Sequence, residues 1–164
     1  MVATTAFPRP PVTPIMASER AFGIAKEACM SSDATGTEPA GARIAPWLSV
    51  GDAERAVEFY KAAFGAVELE RLEDDAGSLQ VAQLAIGTAD FWVQLDPDTH
   101  PRALGGRSPV RMILTVEDPD AVFARAVHAG ATEVAPVGEA NGWRVGRLAD
   151  PSGHHWEVGK PLPL

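Results

Sequence analysis

The residues best suited to chemistry gather near the C-terminus, in Asp150-Pro151-Ser152-Gly153-His154-His155-Trp156-Glu157-Val158. His155 and Glu157 stand two apart, so on a β-strand they share one face, with Trp156 and Val158 on the other. An imidazole beside a carboxylate can ligate a metal, move a proton, or form the polar wall of a pocket. His154 is expected to face away, in a structural role beside the turn. Ahead of the strand, Asp-Pro-Ser-Gly reads as a tight turn: Asp bonds its own backbone, Pro fixes φ and Gly supplies a positive φ. Ser49 belongs to no nucleophile-elbow motif, and Leu104-Gly105-Gly106-Arg107 lacks a phosphate-loop pattern. The catalytic residues, if any, are unknown at this level.

Two blocks of secondary structure must position this strand. Ile44 to Val50 reads as a strand and Asp52 caps a helix whose apolar stripe is Ala56, Val57, Tyr60, Ala63 and Phe64, closed by Gly65. Strands follow at Val67 to Leu72, Leu79 to Ile86 and Ala89 to Leu95, the last two joined at Gly87-Thr88. The acidic loop Glu73 to Gly77 lacks calcium-loop spacing and reads as a solvated turn. After a linker over 96–109 the order recurs. Val110 to Val116 is a strand, Asp118 caps a helix with Pro119 at its first position, and Gly130 closes it. Glu133 to Val137, Trp143 to Ala149 and His154 to Gly159 complete the block.

The recurrence holds residue by residue. Val50-Gly51-Asp52 matches Val116-Glu117-Asp118, Ala56-Val57 matches Ala121-Val122, and Gly65-Ala66 matches Gly130-Ala131. The chain is thus read as two copies of one unit, each too small to fold well alone. Residues 1–41, rich in Pro and small residues, are expected to form a disordered extension. The folded domain is expected over 42–161, with module one at 44–95 and module two at 110–159.

Composition limits the function. Of 164 residues, 46% are hydrophobic and 22% charged, a globular balance. A net charge of −8 without a basic cluster argues against nucleic acid. No apolar run approaches a membrane span. A single cysteine, Cys29, leaves no disulfide framework, and the expected location is cytoplasmic.

The twofold strand-helix-strand-strand-strand order, Val-x-Asp before each helix and Asp-Pro-x-Gly-His before the last strand together resemble the vicinal oxygen chelate superfamily. This superfamily includes glyoxalase I, extradiol dioxygenases, fosfomycin-resistance enzymes and bleomycin-binding proteins. Ile44 to Val50 followed by Glu58 to Ala66 is most similar to the PhnB-like, glyoxalase/bleomycin-resistance branch. The resemblance implies an α+β fold: two tandem βαβββ modules forming a curved mixed sheet around a concave cleft, helices on the outside. It also implies a homodimer.

In metal-dependent relatives the ligands lie on the first and last strands of each module. By that resemblance the positions here hold Ala45, Gln94, Arg111 and Glu157, and only Glu157 keeps a usual ligand identity. No metal or other cofactor is therefore expected. An Arg111–Glu157 ion pair is expected in its place.

Alternation assigns Trp47, Ser49, Trp92, Gln94, Arg111, Ile113, Thr115, His155 and Glu157 to the concave face, with Trp143, Arg144 and Arg147 at its border. Apolar walls with a few polar fixtures suit a small-molecule ligand, which is the leading reading: binding in the cleft without a catalytic metal. The indoles would favour a planar aromatic or cationic molecule, and the acidic chain a cationic one. The alternative is a divalent-metal-dependent lyase, isomerase or dioxygenase of the same superfamily, with Gln94, His155 and Glu157 as altered ligands. A third reading is a metal-free enzyme using His155 or Glu157 as a general base.

Overall fold

A computed structural model describes residues 44–99 and 110–163. The chain divides between Gly41 and Ala42, and everything described belongs to the second unit. The extension expected over 1–41 and most of the linker lie outside the described residues.

Module one runs β1 (Trp47–Val50), α1 (Ala53–Phe64), β2 (Val67–Glu73), β3 (Leu79–Ile86) and β4 (Ala89–Leu95). Module two repeats it as β5 (Arg111–Thr115), α2 (Pro119–His128), β6 (Thr132–Ala140), β7 (Trp143–Ala149) and β8 (His155–Pro161). Each module forms a four-stranded mixed sheet, ordered β1-β4-β3-β2 and β5-β8-β7-β6. In both, the first and last strands pair in parallel and the other neighbours antiparallel. Among the described residues no helix is long and apolar enough to cross a membrane.

Local chemistry explains the boundaries. Asp52 and Asp118 are extended N-caps whose carboxylates accept from the N–H groups of Arg55 and Ala121 at 3.0 Å. Gly65 ends α1 in the left-handed region (φ 70°), and its N–H returns to the Lys61 carbonyl. β6 runs longer than its sequence suggests, through Pro136 and Gly138. It is an edge strand with two register irregularities, where a missing donor costs no ladder bond.

Each helix covers one face of its own sheet, and the two helices pack together. Leu48, Val50, Phe91 and Val93 from module one and Leu148, Trp156 and Val158 from module two are buried there, around Tyr60 and Phe64 of α1. Trp156 packs its ring at a tilt against Tyr60 and Phe64 and edge-on against Phe91, so one indole joins the two cores. Gly146 of β7 is required by this packing: a Cβ there would lie 2.8 Å from the Phe123 ring and from Val137.

Polar contacts add to the junction. Asp150, buried at 4% exposure, accepts from the Tyr60 hydroxyl (2.6 Å) and the Trp156 indole N–H (3.0 Å) through Oδ2. Its Oδ1 accepts from the Ser152 and His154 backbone N–H groups, both at 2.9 Å, which shapes the turn; Gly153 completes it at φ 89°. His154 Nε2 reaches the Ser49 carbonyl at 3.0 Å, and Arg125 donates to the Ala63 carbonyl at 2.8 Å. His154 thus has the structural role expected of it, as a link between modules.

Candidate functional site

Because the helices cover one face of each sheet, the opposite faces hold the side chains that alternation sends away from the core. On sheet one, Trp47 pairs with Trp92, and Ser49 with Gln94, in the parallel β1–β4 ladder. Gln83 pairs with Trp92 across the antiparallel neighbour and extends the same face. The indoles of Trp47 and Trp92 stack with centroids 5.8 Å apart and planes 22° apart. Trp47 donates its indole N–H to Gln94 Oε1 at 2.6 Å, which fixes its ring orientation. Gln83 donates to Asp90 at 2.7 Å. Trp47 remains 39% exposed, so this is an aromatic wall facing outward and not core filling.

Sheet two carries a different chemistry. Arg111 pairs with His155, Ile113 with Glu157 and Thr115 with Gly159, while Arg147 of β7 pairs with Glu157 from the other side. Arg111 Nη1 meets Glu157 Oε1 at 2.7 Å, so the expected ion pair is present. Sequence reasoning missed that Arg147 takes the same oxygen, at 2.9 Å through Nη2 and 3.2 Å through Nε. Strand alternation from Glu157 onto β7 was the available signal, but the hairpin register was needed to use it. Trp143 also falls on this face by register, whereas Arg144 turns away to bind Asp120.

The repeat refines which positions correspond. Trp47 faces Trp92, and 66 residues later Ile113 faces Glu157. The buried neighbours agree, since Phe91 and Val93 occupy the places of Trp156 and Val158. Trp92, and not Gln94, therefore stands where Glu157 does. The positions equivalent to a superfamily metal site hold Ala45, Trp92, Arg111 and Glu157, which offer one carboxylate among two apolar groups and a cation. That donor set does not fit a divalent ion. The alternative set is also divided, with Gln94 on sheet one, its Oε1 occupied by Trp47, and His155 and Glu157 on sheet two. Among the described residues no three His, Cys, Asp or Glu side chains converge to hold a metal.

Elsewhere a small cleft of about 200 Å³ opens between the α1 N-terminus and the Asp150 turn, lined by Gly51, Asp52, Arg55, Thr99, Pro151 and Ser152. It lies apart from both open sheet faces.

Comparison with known proteins agrees with this architecture. Residues 47–159 match the family model of the glyoxalase-like domain. An uncharacterized protein of Mycobacterium bovis is 44% identical over 140 residues, covering 79% of this chain and 88% of its own. Among solved structures, TioX from Micromonospora sp. ML1 superposes with a TM-score of 0.59 at 31% identity, over 74% of this chain and all of its own (100%). The fosfomycin resistance protein FosX from Mesorhizobium loti shares the fold, with a TM-score of 0.56 at 17% identity, over 73% of this chain and 92% of its own. With two βαβββ modules, the duplicated caps and this family match, the chain belongs to the glyoxalase-like family of the vicinal oxygen chelate superfamily.

Proposed function

We propose that this protein binds a small molecule on the open faces of its sheets without a catalytic metal, and that a second copy of the chain closes each face into a cleft. The observation that carries the reading is a pair of sheet faces that nothing covers among the described residues. Trp47 is 39% and Ile113 67% exposed on strands whose other faces meet the core, through buried Leu48 and Val50 in β1 and partly buried Met112 and Leu114 in β5. Apolar surface of this kind marks an interaction site. A twofold arrangement would set sheet one of one copy against sheet two of its partner, making two identical clefts. Each cleft would then have an indole wall, a guanidinium pair, His155, and Ser49 and Thr115 at its base.

The absence of a metal is part of the proposal and rests on the donor set: guanidinium groups flank the one carboxylate, and their charge opposes a cation. A cytoplasmic setting and a PhnB-like affinity also belong to the proposal; the single cysteine supports the first and Glu58 to Ala66 the second.

Sedimentation velocity together with elemental analysis tests the reading. A dimer with sub-stoichiometric divalent metal is expected, and Ile113→Asp should give a folded monomer. A native monomer would remove the second copy from the account. Stoichiometric metal lost in Glu157→Ala would replace the binding reading with the metal-dependent one.

A further inference from the structure

Among the salt-bridged cations of the described residues, one group is out of balance. Arg71 is surrounded by Glu54, Glu68 and Glu73, Arg144 by Asp120 and Glu139, and Lys61 by Glu58 and Glu68. In each of these the carboxylates outnumber the cation. On the open face of sheet two the ratio reverses: Arg111 and Arg147 share one oxygen of one carboxylate, Glu157. Arg111 engages it through Nη1 alone, which leaves Nε and Nη2 without partners among the described residues. Its side chain is 46% exposed and that of Glu157 only 21%, so the guanidinium stands in front of the carboxylate.

Beside this fork lies Ile113, paired in register with Glu157 and exposed, and His155 is in register with Arg111. A cation pair carrying a surplus positive charge next to an apolar side chain recognises an anionic head on an apolar body. The indole stack of sheet one supplies a flat surface for that body, since aromatic rings prefer offset-stacked partners.

Resting on the cleft reading above, we propose that the ligand is a planar aromatic carboxylate, its carboxylate held by Arg111 and Arg147 and its ring against Trp47 and Trp92. The local excess of guanidinium groups overrides the net charge of −8, which by itself suggests a cationic ligand. Glu157 acts here as a positioning residue: it holds both guanidinium groups in place and tempers their charge.

Isothermal titration of the full-length protein with 2-naphthoate, 2-naphthamide and 2-naphthylmethylammonium tests this. The carboxylate should bind at least about tenfold tighter than the amide, the factor that ~1.4 kcal/mol represents, and the ammonium weakest. Arg111→Gln/Arg147→Gln should erase the preference for the carboxylate over the amide. Glu157→Gln should shift carboxylate affinity the other way, towards tighter binding, which loss of folding cannot mimic. If the amide or ammonium binds as tightly as the carboxylate, the charge assignment is wrong while cleft binding stands. If none of the three binds, the cleft reading falls and this inference with it.

Discussion

Tyr60→Phe isolates the polar junction between the modules. The substitution keeps the ring that packs on Phe64, Phe91 and Trp156 and removes only the hydroxyl that donates to Asp150 Oδ2 at 2.6 Å. Both groups are buried, and a hydrogen bond to a charged group contributes a net ~1.5–3 kcal/mol. Asp150 would keep its bonds from Trp156, Ser152 and His154, so its charge is not orphaned and a loss of about 2 kcal/mol is expected. For a folded unit of this size that lowers Tm by roughly 8 °C. Burial, then the neighbouring Asp150 charge and hydrogen bond, push the Tyr60 phenol well above its ordinary value. The folded state therefore keeps its proton where the unfolded state releases it. The resulting stability is fully present below the unfolded value near 10 and declines above it by about 1.4 kcal/mol per pH unit. Tyr60 is the chain's one tyrosine, so absorbance at 295 nm reports its ionisation directly. Urea melts at pH 7 and pH 11 should show the native protein losing more stability than Tyr60→Phe, with the phenolate band appearing only on unfolding. A variant within about 0.5 kcal/mol of native at pH 7, or a folded protein whose phenol ionises near pH 10, would refute the reasoning.

Gly146→Ala should destabilise by about 1–3 kcal/mol in chemical melts, because the added methyl meets Phe123 and Val137 at 2.8 Å. Trp47→Ala should cost under about 1 kcal/mol, because Trp47 is a half-exposed wall, whereas the buried Trp156→Ala should cost ~3–5 kcal/mol; equal losses would make Trp47 core. Arg71, then Lys61, hold the Glu68 carboxyl below the usual glutamate range. That stability is present above the unfolded pKa and lost as pH falls through the folded one, so Glu68→Gln should flatten the acid side of the stability curve.

Much of this was legible in the sequence because it is local. Asp52 and Asp118, Gly65, and the apolar stripes needed only cap chemistry and period, and the duplicated spacing exposed the two modules. The Arg111–Glu157 pair followed from the family resemblance. What sequence could not supply was register. Whether Trp92 or Gln94 matches Glu157 depends on how β4 lies against β1, and alternation alone leaves that open by two residues. Arg147 joins the site only through the β7–β8 ladder. The Tyr60–Asp150 bond spans 90 residues and two modules, where no periodicity reaches. Tyr60 lay within an apolar helical stripe and Asp150 in a turn, and neither position announced its partner. The separation of the strands into two sheets with uncovered faces also follows from packing between helices, which one module's pattern does not reveal.

The ligand site proposed on the open sheet faces works without metal. Calorimetric titration of 2-naphthoate into full-length protein, before and after exhaustive EDTA treatment and again in Trp92→Ala, tests it most directly. Equal affinity with and without chelator, and loss of binding in the variant, are expected. Binding that vanishes with EDTA and returns with added zinc, or that persists unchanged in Trp92→Ala, would contradict it.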